Sequence, residues 1–235
     1  LAADREMAAG RPLERSIGTL MTIAENIARI RANMAAAARE AGRDPKEILL
    51  VGASKMNDAA ACREAVAAGI DALGENRVQE MVQKLEQHAY DGAPLHFIGH
   101  LQRNKVKQVV GHVALIQSVG SLELLDEIEK VAAARGLVQD ILLEVNIGRE
   151  AAKSGFAPEK VLPAAEAALE RTHVRVRGLM TIPPADAQRD ANFRYFQEVQ
   201  ALYVDMNQKL FHNELEYLSM GMSGDYEDAI RAGAT

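Results

Sequence analysis

Short apolar runs alternate with amphipathic segments along the chain, and this alternation restricts the fold more than any other feature of the sequence. Each run is six to nine residues long and apolar or small almost throughout. Runs of this kind, separated by helical patterns, indicate parallel strands that helices cover on both faces. The sequence therefore predicts an α/β fold whose seven visible strands are residues 48–53, 71–76, 95–100, 113–119, 140–147, 174–182 and 215–222.

The number of these units favours a (β/α)8 TIM-like barrel over an open sheet. Such a barrel has eight strands in about 250 residues, and this chain has 235. We expect the eighth strand just after Thr235, beyond the given C-terminus. The open doubly wound sheet is the competing architecture, and its dinucleotide-binding members carry a GxGxxG turn after the first strand. Here the first run leads into GASKMND instead.

The start of the chain predicts a tail followed by one long helix. Apolar residues recur at spacings of three and four from Leu13 to Met34, the pattern of an amphipathic helix. Gly42 can take the left-handed conformation that ends a helix. We therefore expect residues 1–12 to form a flexible N-terminal tail and residues 13–235 to form a single barrel domain.

Composition and charge exclude several classes of protein. The formal net charge is -6, which disfavours a general surface for nucleic acid or anionic membranes. No stretch approaches the roughly 20 apolar residues of a membrane span, and no apolar signal core is visible at the start. A single cysteine, Cys62, cannot form an internal disulfide. We expect a cytoplasmic protein without nucleic-acid or membrane partners and, because HExxH and CxxC patterns are missing, without a metal.

A lysine directly follows the first predicted strand. In a barrel, Lys55 lies at the carboxyl ends of the strands, where barrel enzymes place their reactive groups. Polar or small residues also follow other strands, in the segments GENR, HFIGHLQRNK, GLMTIPP and LSMGMSGD. Convergence of such residues at one mouth is typical of a binding pocket, although most isolated lysines at strand ends are solvated loop residues.

The seventh segment has the features of an anion site. Gly221, Ser223 and Gly224 lead into a helix near Asp225, so backbone N–H groups and a hydroxyl lie at a positive helix end. Barrels frequently bind phosphate in this region. Helix capping by Ser223 or Asp225 is the simpler alternative. A lysine that faces a phosphate cradle across the mouth suggests a phosphorylated carbonyl compound held as an imine.

Five segments carry a more specific signal, namely ASK (53–55), GENRVQE (74–80), HFIGHLQRNK (96–105), GLMTIPP (178–184) and LSMGMSGDYEDAIRAGAT (218–235). In this order they resemble the pyridoxal 5′-phosphate (PLP) homeostasis protein family, PLP-binding proteins of the alanine racemase N-terminal-domain type. The resemblance covers the chain from about residue 13 onward. It implies a single barrel like the racemase N-terminal domain and PLP as the cofactor.

The resemblance also implies roles for individual residues. Lys55 is the residue expected to form the Schiff base with PLP, and Asn76 is expected beside the ring. Ser223 with Ser219 and the neighbouring backbone is expected to bind the phosphate. The full set of expected cofactor-binding residues is Lys55, Asn76, His100, Met180, Ser219, Gly221, Ser223 and Gly224.

The chain departs from the family pattern in two places. Relatives often show SKTKP around the Schiff-base lysine, whereas this chain has SKMND and so lacks the second lysine. Lys153, in AAKSG, is a candidate secondary site. Relatives also continue past the GAT with a strand resembling VRIGT, which brings an arginine to the pyridine nitrogen of PLP.

Three functions are compatible with these residues. The resemblance implies a carrier or regulator of PLP (vitamin B6) supply without robust turnover, whose partners are PLP and PLP-dependent apoenzymes. The exposed mouth of a single-domain barrel permits a monomer, which is the expected state. A PLP-dependent amino-acid racemase is the first alternative. An arginine beside the pyridine nitrogen would weaken the ring as an electron sink, which disfavours this chemistry. A Schiff-base aldolase without PLP is the second alternative.

Overall fold

A computed structural model describes residues 20–235 of the chain. The strands are β1 (Val51–Ala53), β2 (Ala72–Glu75), β3 (Leu95–Phe97), β4 (Leu115–Val119), β5 (Gln139–Val145), β6 (Val174–Thr181) and β7 (Tyr217–Ser219). The helices are α1 (Ile23–Glu40), α2 (Ala59–Ala67), α3 (Val78–Glu86), α4 (Val106–Val109), α5 (Leu122–Arg135), α6 (Val161–Leu169), α7 (Arg189–Leu210) and α8 (Tyr226–Arg231). Short 3-10 helices precede β1, α4 and α6, at Pro45–Glu47, Arg103–Lys105 and Pro158–Lys160.

The seven strands form one parallel sheet in chain order, from β1 to β7. Thr235 lies between the two edge strands. Its N–H donates to the carbonyl of Leu218 in β7 at 2.9 Å, and its carbonyl accepts the N–H of Leu49, just before β1, at 2.7 Å. The sheet therefore curls until β1 and β7 flank a single strand position. The prediction of a TIM-like barrel is confirmed in the part of the chain that the structure describes, and the eighth strand after Thr235 stays a prediction.

The first helix begins later than the apolar spacing indicated. Thr22 is its N-cap and forms a capping box with Glu25, an arrangement that satisfies two of the free N–H groups of the first turn. Leu20 precedes this cap and is 94% exposed, so it does not belong to the buried face. Gly42 ends the helix as predicted, with a φ of 70°. The expected tail and the first part of the expected helix, residues 1–19, lie outside the described residues.

The core has two layers because successive strand residues point to opposite faces. On β5, Ile141 and Leu143 are fully buried and pack with the helices in the larger core cluster. Leu142, between them, packs on the inner face with Leu115 and Met180. Leu115, Leu142 and Met180 therefore form an apolar layer on the inner face.

A bulge in β6 determines which of its residues face inward. Ile141 pairs with Val176, but Leu142 pairs with Gly178, so one extra residue is inserted into β6. Gly178 has a φ of 152°, and a Cβ there would lie 1.6 Å from the carbonyl oxygen of Tyr217. Glycine is required at this position because any side chain would break the pairing of β6 with β7.

Candidate functional site

Lys55 lies immediately after β1 and is half-buried. The hydroxyl of the preceding residue, Ser54, is on the helix side of the sheet, where it donates to Glu75 at 2.5 Å. Lys55 itself is in the turn that follows the strand, at the carboxyl-end mouth of the barrel. The following residue, Met56, has a φ of 61°, a left-handed conformation that is rare for a bulky side chain. The chain thus turns sharply just beyond the lysine.

Asn76 lies after β2, the strand that pairs with β1. Its Oδ1 is buried and has no hydrogen-bond partner among the described residues. Gly99, after β3, allows the main chain of this loop to lie against the main chain of Asn76, since a Cβ at Gly99 would be 2.1 Å from the carbonyl oxygen of Asn76. Buried polar groups in proteins are normally hydrogen-bonded. An unsatisfied amide oxygen at the end of the strand that pairs with β1 is therefore a position where a ligand group is expected.

The turn after β7 contains three of the predicted residues. Gly221 has a φ of 96°, and a Cβ there would lie 2.8 Å from the Cβ of Ala229, so glycine is required for the chain to turn into α8. Ser223 and Gly224 are exposed in this turn. Their hydroxyl and backbone groups are accessible from solvent, as an anion site requires.

Asp225 does not cap α8 with its side chain, so the simpler interpretation of this residue is wrong. Its carboxylate instead accepts the N–H of Met222 at 2.6 Å and the side-chain amide of Asn192, on α7, at 3.1 Å. These two donors hold the carboxylate within the turn and link the turn to α7.

The floor of the mouth contains a buried polar chain. Gln117 bonds to His96 Nδ1 at 2.9 Å and accepts the hydroxyl of Ser219 at 2.6 Å. Burial lowers the pKa of His96 to about 4, so the ring is neutral near pH 7. Met180 is 4% exposed and pairs with Ser219 in the sheet. Of the predicted residues, Met180 and Ser219 thus form part of the floor.

The lysine and the glycine turn are closer neighbours than the sequence suggested. Lys55 follows β1 and residues 221–224 follow β7, and these strands flank the position of Thr235. Strands in a sheet are about 4.8 Å apart, so β1 and β7 are separated by about 10 Å. The two groups lie on either side of one strand position rather than on opposite sides of the mouth.

His100 lies apart from this group, exposed after β3. It interacts electrostatically with Glu144, a carboxylate on β5 that the sequence reasoning missed. Burial raises the pKa of Glu144, while a hydrogen bond from Ser154 at 3.3 Å and the charge of His100 act in the opposite direction. A carboxylate in the interior of the mostly apolar run DILLEVNI was the available signal.

A second missed feature is a buried ion cluster on the helix side of β1 and β2. Glu75 is fully buried, and its Oε1 accepts bonds from Ser54 at 2.5 Å, Lys84 at 2.6 Å and Tyr90 at 2.9 Å. Lys84 also donates to Glu80 at 2.8 Å. Burial acts to lower the pKa of Lys84, but the bonds to the two carboxylates outweigh burial, and the pKa is raised.

In residues 20–235, no group of three or more His, Cys, Asp or Glu side chains is arranged to hold a metal ion. Within the same range, every helix is too short or too polar to cross a bilayer.

Residues 26–234 match the family model of the alanine racemase N-terminal domain. The pyridoxal phosphate homeostasis protein of Aquifex aeolicus is 41% identical, over 92% of this chain and 94% of the relative. The protein of that name from Pseudomonas aeruginosa is 41% identical, over 92% of each chain. The structure of Synechococcus elongatus PipY with PLP bound superposes with a TM-score of 0.78 at 31% identity, over 91% of this chain and 95% of PipY.

The fold and the strand-end residues thus define a barrel of the alanine racemase N-terminal-domain type. Within that class, the chain belongs to the family of the pyridoxal phosphate homeostasis proteins. The resemblance inferred from the five sequence segments is confirmed.

Proposed function

We propose that this chain binds PLP through Lys55 and takes part in PLP homeostasis as a carrier or regulator without robust turnover. The relatives named for PLP homeostasis and the PLP-bound structure of PipY support the proposal. The observation that carries it is the placement of Lys55 and the turn at 221–224 on either side of one strand position. PLP supplies an aldehyde that an amine can capture and a phosphate that such a turn can bind.

The residues at the mouth fit this cofactor. Lys55 provides the amine, and the unsatisfied amide of Asn76 is available to a polar group of the ring. The turn that begins at Gly221 exposes Ser223 and Gly224 for the phosphate. Ser219 is held by Gln117 at 2.6 Å at the base of this turn, and with Met180 it forms the surface below the ring. His100, exposed after β3, is assigned to the outer edge of the pocket.

The proposal extends to the partners and the location of the protein. A carrier releases PLP to apoenzymes that need it, so these apoenzymes are the proposed protein partners. We also propose a monomer in the cytoplasm. Sedimentation equilibrium tests the monomer, and fluorescence microscopy of a tagged chain tests the location.

Absorbance with and without added PLP tests the binding site. We expect a visible band that borohydride reduction fixes on one peptide, the peptide that contains Lys55. Lys55→Ala should abolish the band, whereas Lys153→Ala should retain it, because Lys153 is already paired with Glu150 at 2.7 Å. A protein that takes up no PLP, or a band that survives Lys55→Ala, would refute the proposal.

A second experiment separates carrier from racemase. The PLP-loaded protein is incubated with L-alanine in D2O, and exchange of the α-hydrogen is measured with Lys55→Ala as the control. We expect exchange at the level of free PLP. Exchange well above that level and dependent on Lys55 would replace the carrier by the racemase.

A further inference from the structure

Both peptide groups that flank Lys55 are held by the same charged cluster. The carbonyl of Ser54, on one side, accepts a hydrogen bond from Lys84 Nζ at 2.7 Å. The N–H of Met56, on the other side, donates to Glu80 Oε1 at 2.8 Å. Lys84 and Glu80 are bonded to each other at 2.8 Å. One cluster therefore fixes the main chain immediately before and immediately after the lysine.

The cluster is rigid because it is buried and is built on regular elements. The side chains of Lys84 and Glu75 are 7% and 0% exposed. Lys84 and Glu80 are one turn apart on α3, and Glu75 lies on β2. Groups on helices and strands, locked by further hydrogen bonds, hold a neighbouring site more accurately than loop contacts do. The peptides on both sides of Lys55 are thus tied to α3, and through Lys84 to β2.

The conformation that the cluster holds is strained. Met56 adopts a φ of 61° although its side chain is 94% exposed and does not secure the turn by packing. A left-handed backbone conformation is unfavourable for a residue with a Cβ. Strain of this kind persists where the surroundings enforce it, commonly at functional sites. The bond from Met56 to Glu80 contributes to enforcing it here, together with the bonds that Asn57 donates to the carbonyls of Ser54 at 3.1 Å and Lys55 at 3.2 Å.

We propose that Glu80 and Lys84 are positioning residues for Lys55, which set the direction of its side chain toward the mouth. This inference rests on the proposed function of Lys55. Stability alone does not explain Glu80, because an ion pair with a carboxylate that is 25% exposed contributes little. The buried Lys84–Glu75 pair would stabilise the fold without it.

The test compares Glu80→Ala with Glu80→Gln, which keeps an oxygen that can accept the N–H of Met56. Glu129→Ala is the matched control. The side chain of Glu129 is 21% exposed and also accepts a main-chain N–H, from His173 at 2.8 Å, but it acts just before β6, at the amino end of the barrel. Unfolding in urea confirms that each variant is folded.

Two readouts follow Lys55. The first is the rate at which trinitrobenzenesulfonate modifies Lys55 in the PLP-free protein, measured by peptide mass spectrometry across pH 7–10. The second is the dissociation rate of PLP. We expect Glu80→Ala to change the labelling profile and to speed PLP release by about 10- to 100-fold, the effect of a misplacement of about 1 Å. Glu80→Gln should restore most of both, and Glu129→Ala should change neither.

Unchanged labelling and PLP release in Glu80→Ala would overturn the inference, as would equal changes in Glu80→Ala and Glu129→Ala. Labelling needs no PLP, so this readout still applies if the proposed cofactor role of Lys55 fails. That role fails separately, when Lys55→Ala binds PLP as well as the unmodified chain does.

Discussion

Lys84→Met removes the ammonium that neutralises Glu75 and keeps the apolar part of the side chain. The Glu75 carboxylate is fully buried, and the hydroxyls of Ser54 and Tyr90, at 2.5 and 2.9 Å, would be its remaining donors at Oε1. Oε2 already lacks a partner among the described residues. Removing one member of a buried ion pair costs about 3–5 kcal/mol, because the other charge stays in a poorly solvated site. We expect this loss in the free energy of unfolding near pH 7.

Urea unfolding followed by circular dichroism measures the change. For a chain of this size, 1 kcal/mol corresponds to about 2–4 °C in melting temperature, so the variant should melt about 6–20 °C lower. The fold raises the pKa of Lys84. The charge of Lys84 therefore contributes its full share to the stability of the fold at any pH below its unfolded pKa, near 10.5. This contribution is lost only as the pH rises through the folded pKa. The difference between the two proteins should stay constant from pH 7 to pH 9.

The double variant Lys84→Met/Glu75→Gln provides the decisive comparison. It removes both charges, so it should be more stable than Lys84→Met alone. If Lys84→Met lowers the free energy of unfolding by less than about 1 kcal/mol, the ion pair behaves like a solvated pair on the surface, and the buried-charge reasoning is refuted. A double variant no more stable than the single one would refute it as well.

Three further predictions concern other positions in the barrel. The pKa of His96 is lowered to about 4 from 6.5 in the unfolded chain, so the free energy of unfolding should fall by about 1.5 kcal/mol from pH 6.5 to pH 5. His96→Asn, which keeps an acceptor for Gln117, should remove this loss in urea titrations. If the variant loses as much stability as the unmodified protein, then His96 binds its proton as readily in the folded protein as in the unfolded chain, and the reasoning is refuted. Burial raises the pKa of Glu144, so ionising this carboxyl costs more free energy in the folded protein than in the unfolded chain. Glu144→Gln should therefore stabilise the protein at pH 8, and this gain in the free energy of unfolding should vanish at pH values below the unfolded pKa, near 4.5. A variant that is less stable than the unmodified protein at pH 8 would contradict this. Gly178→Ala places a Cβ 1.6 Å from a carbonyl oxygen and should cost about 4 kcal/mol or more in thermal unfolding. Gly69→Ala is the control, because the added Cβ there meets nothing within 4 Å, and this variant should lose only about 1–2 kcal/mol. Equal losses in Gly178→Ala and Gly69→Ala would disprove the steric explanation.

Element type was predictable from the sequence, and element ends were less so. Each of the seven apolar runs overlaps one strand, because period and composition are local properties that the chain displays directly. The first run was predicted as 48–53, but β1 is Val51–Ala53. Ile48 packs against the cluster formed by α1 and α8, and this contact depends on the two ends of the chain meeting. The start of α1 was also missed, although Thr22 and Glu25 have the spacing of a capping box.

The candidate site divides in the same way. Lys55, Asn76 and the turn at 221–224 could be proposed from their places after strands and from the family motifs. Glu144 was missed because a carboxylate inside a mostly apolar run does not by itself reveal that burial raises its pKa. Lys84 was missed because it is nine residues from Glu75, and nothing local in the sequence shows that α3 folds back over β2.

The sequence by itself determined that strands and helices alternate and that a lysine follows the first strand, since both are encoded within a few residues. Only the tertiary structure decided that β1 and β7 flank Thr235, and that Lys84 and Glu80 hold the peptides around Lys55. Hydrogen bonds and ion pairs act over about 3 Å. Which distant residues come within that range depends on the packing of the whole barrel.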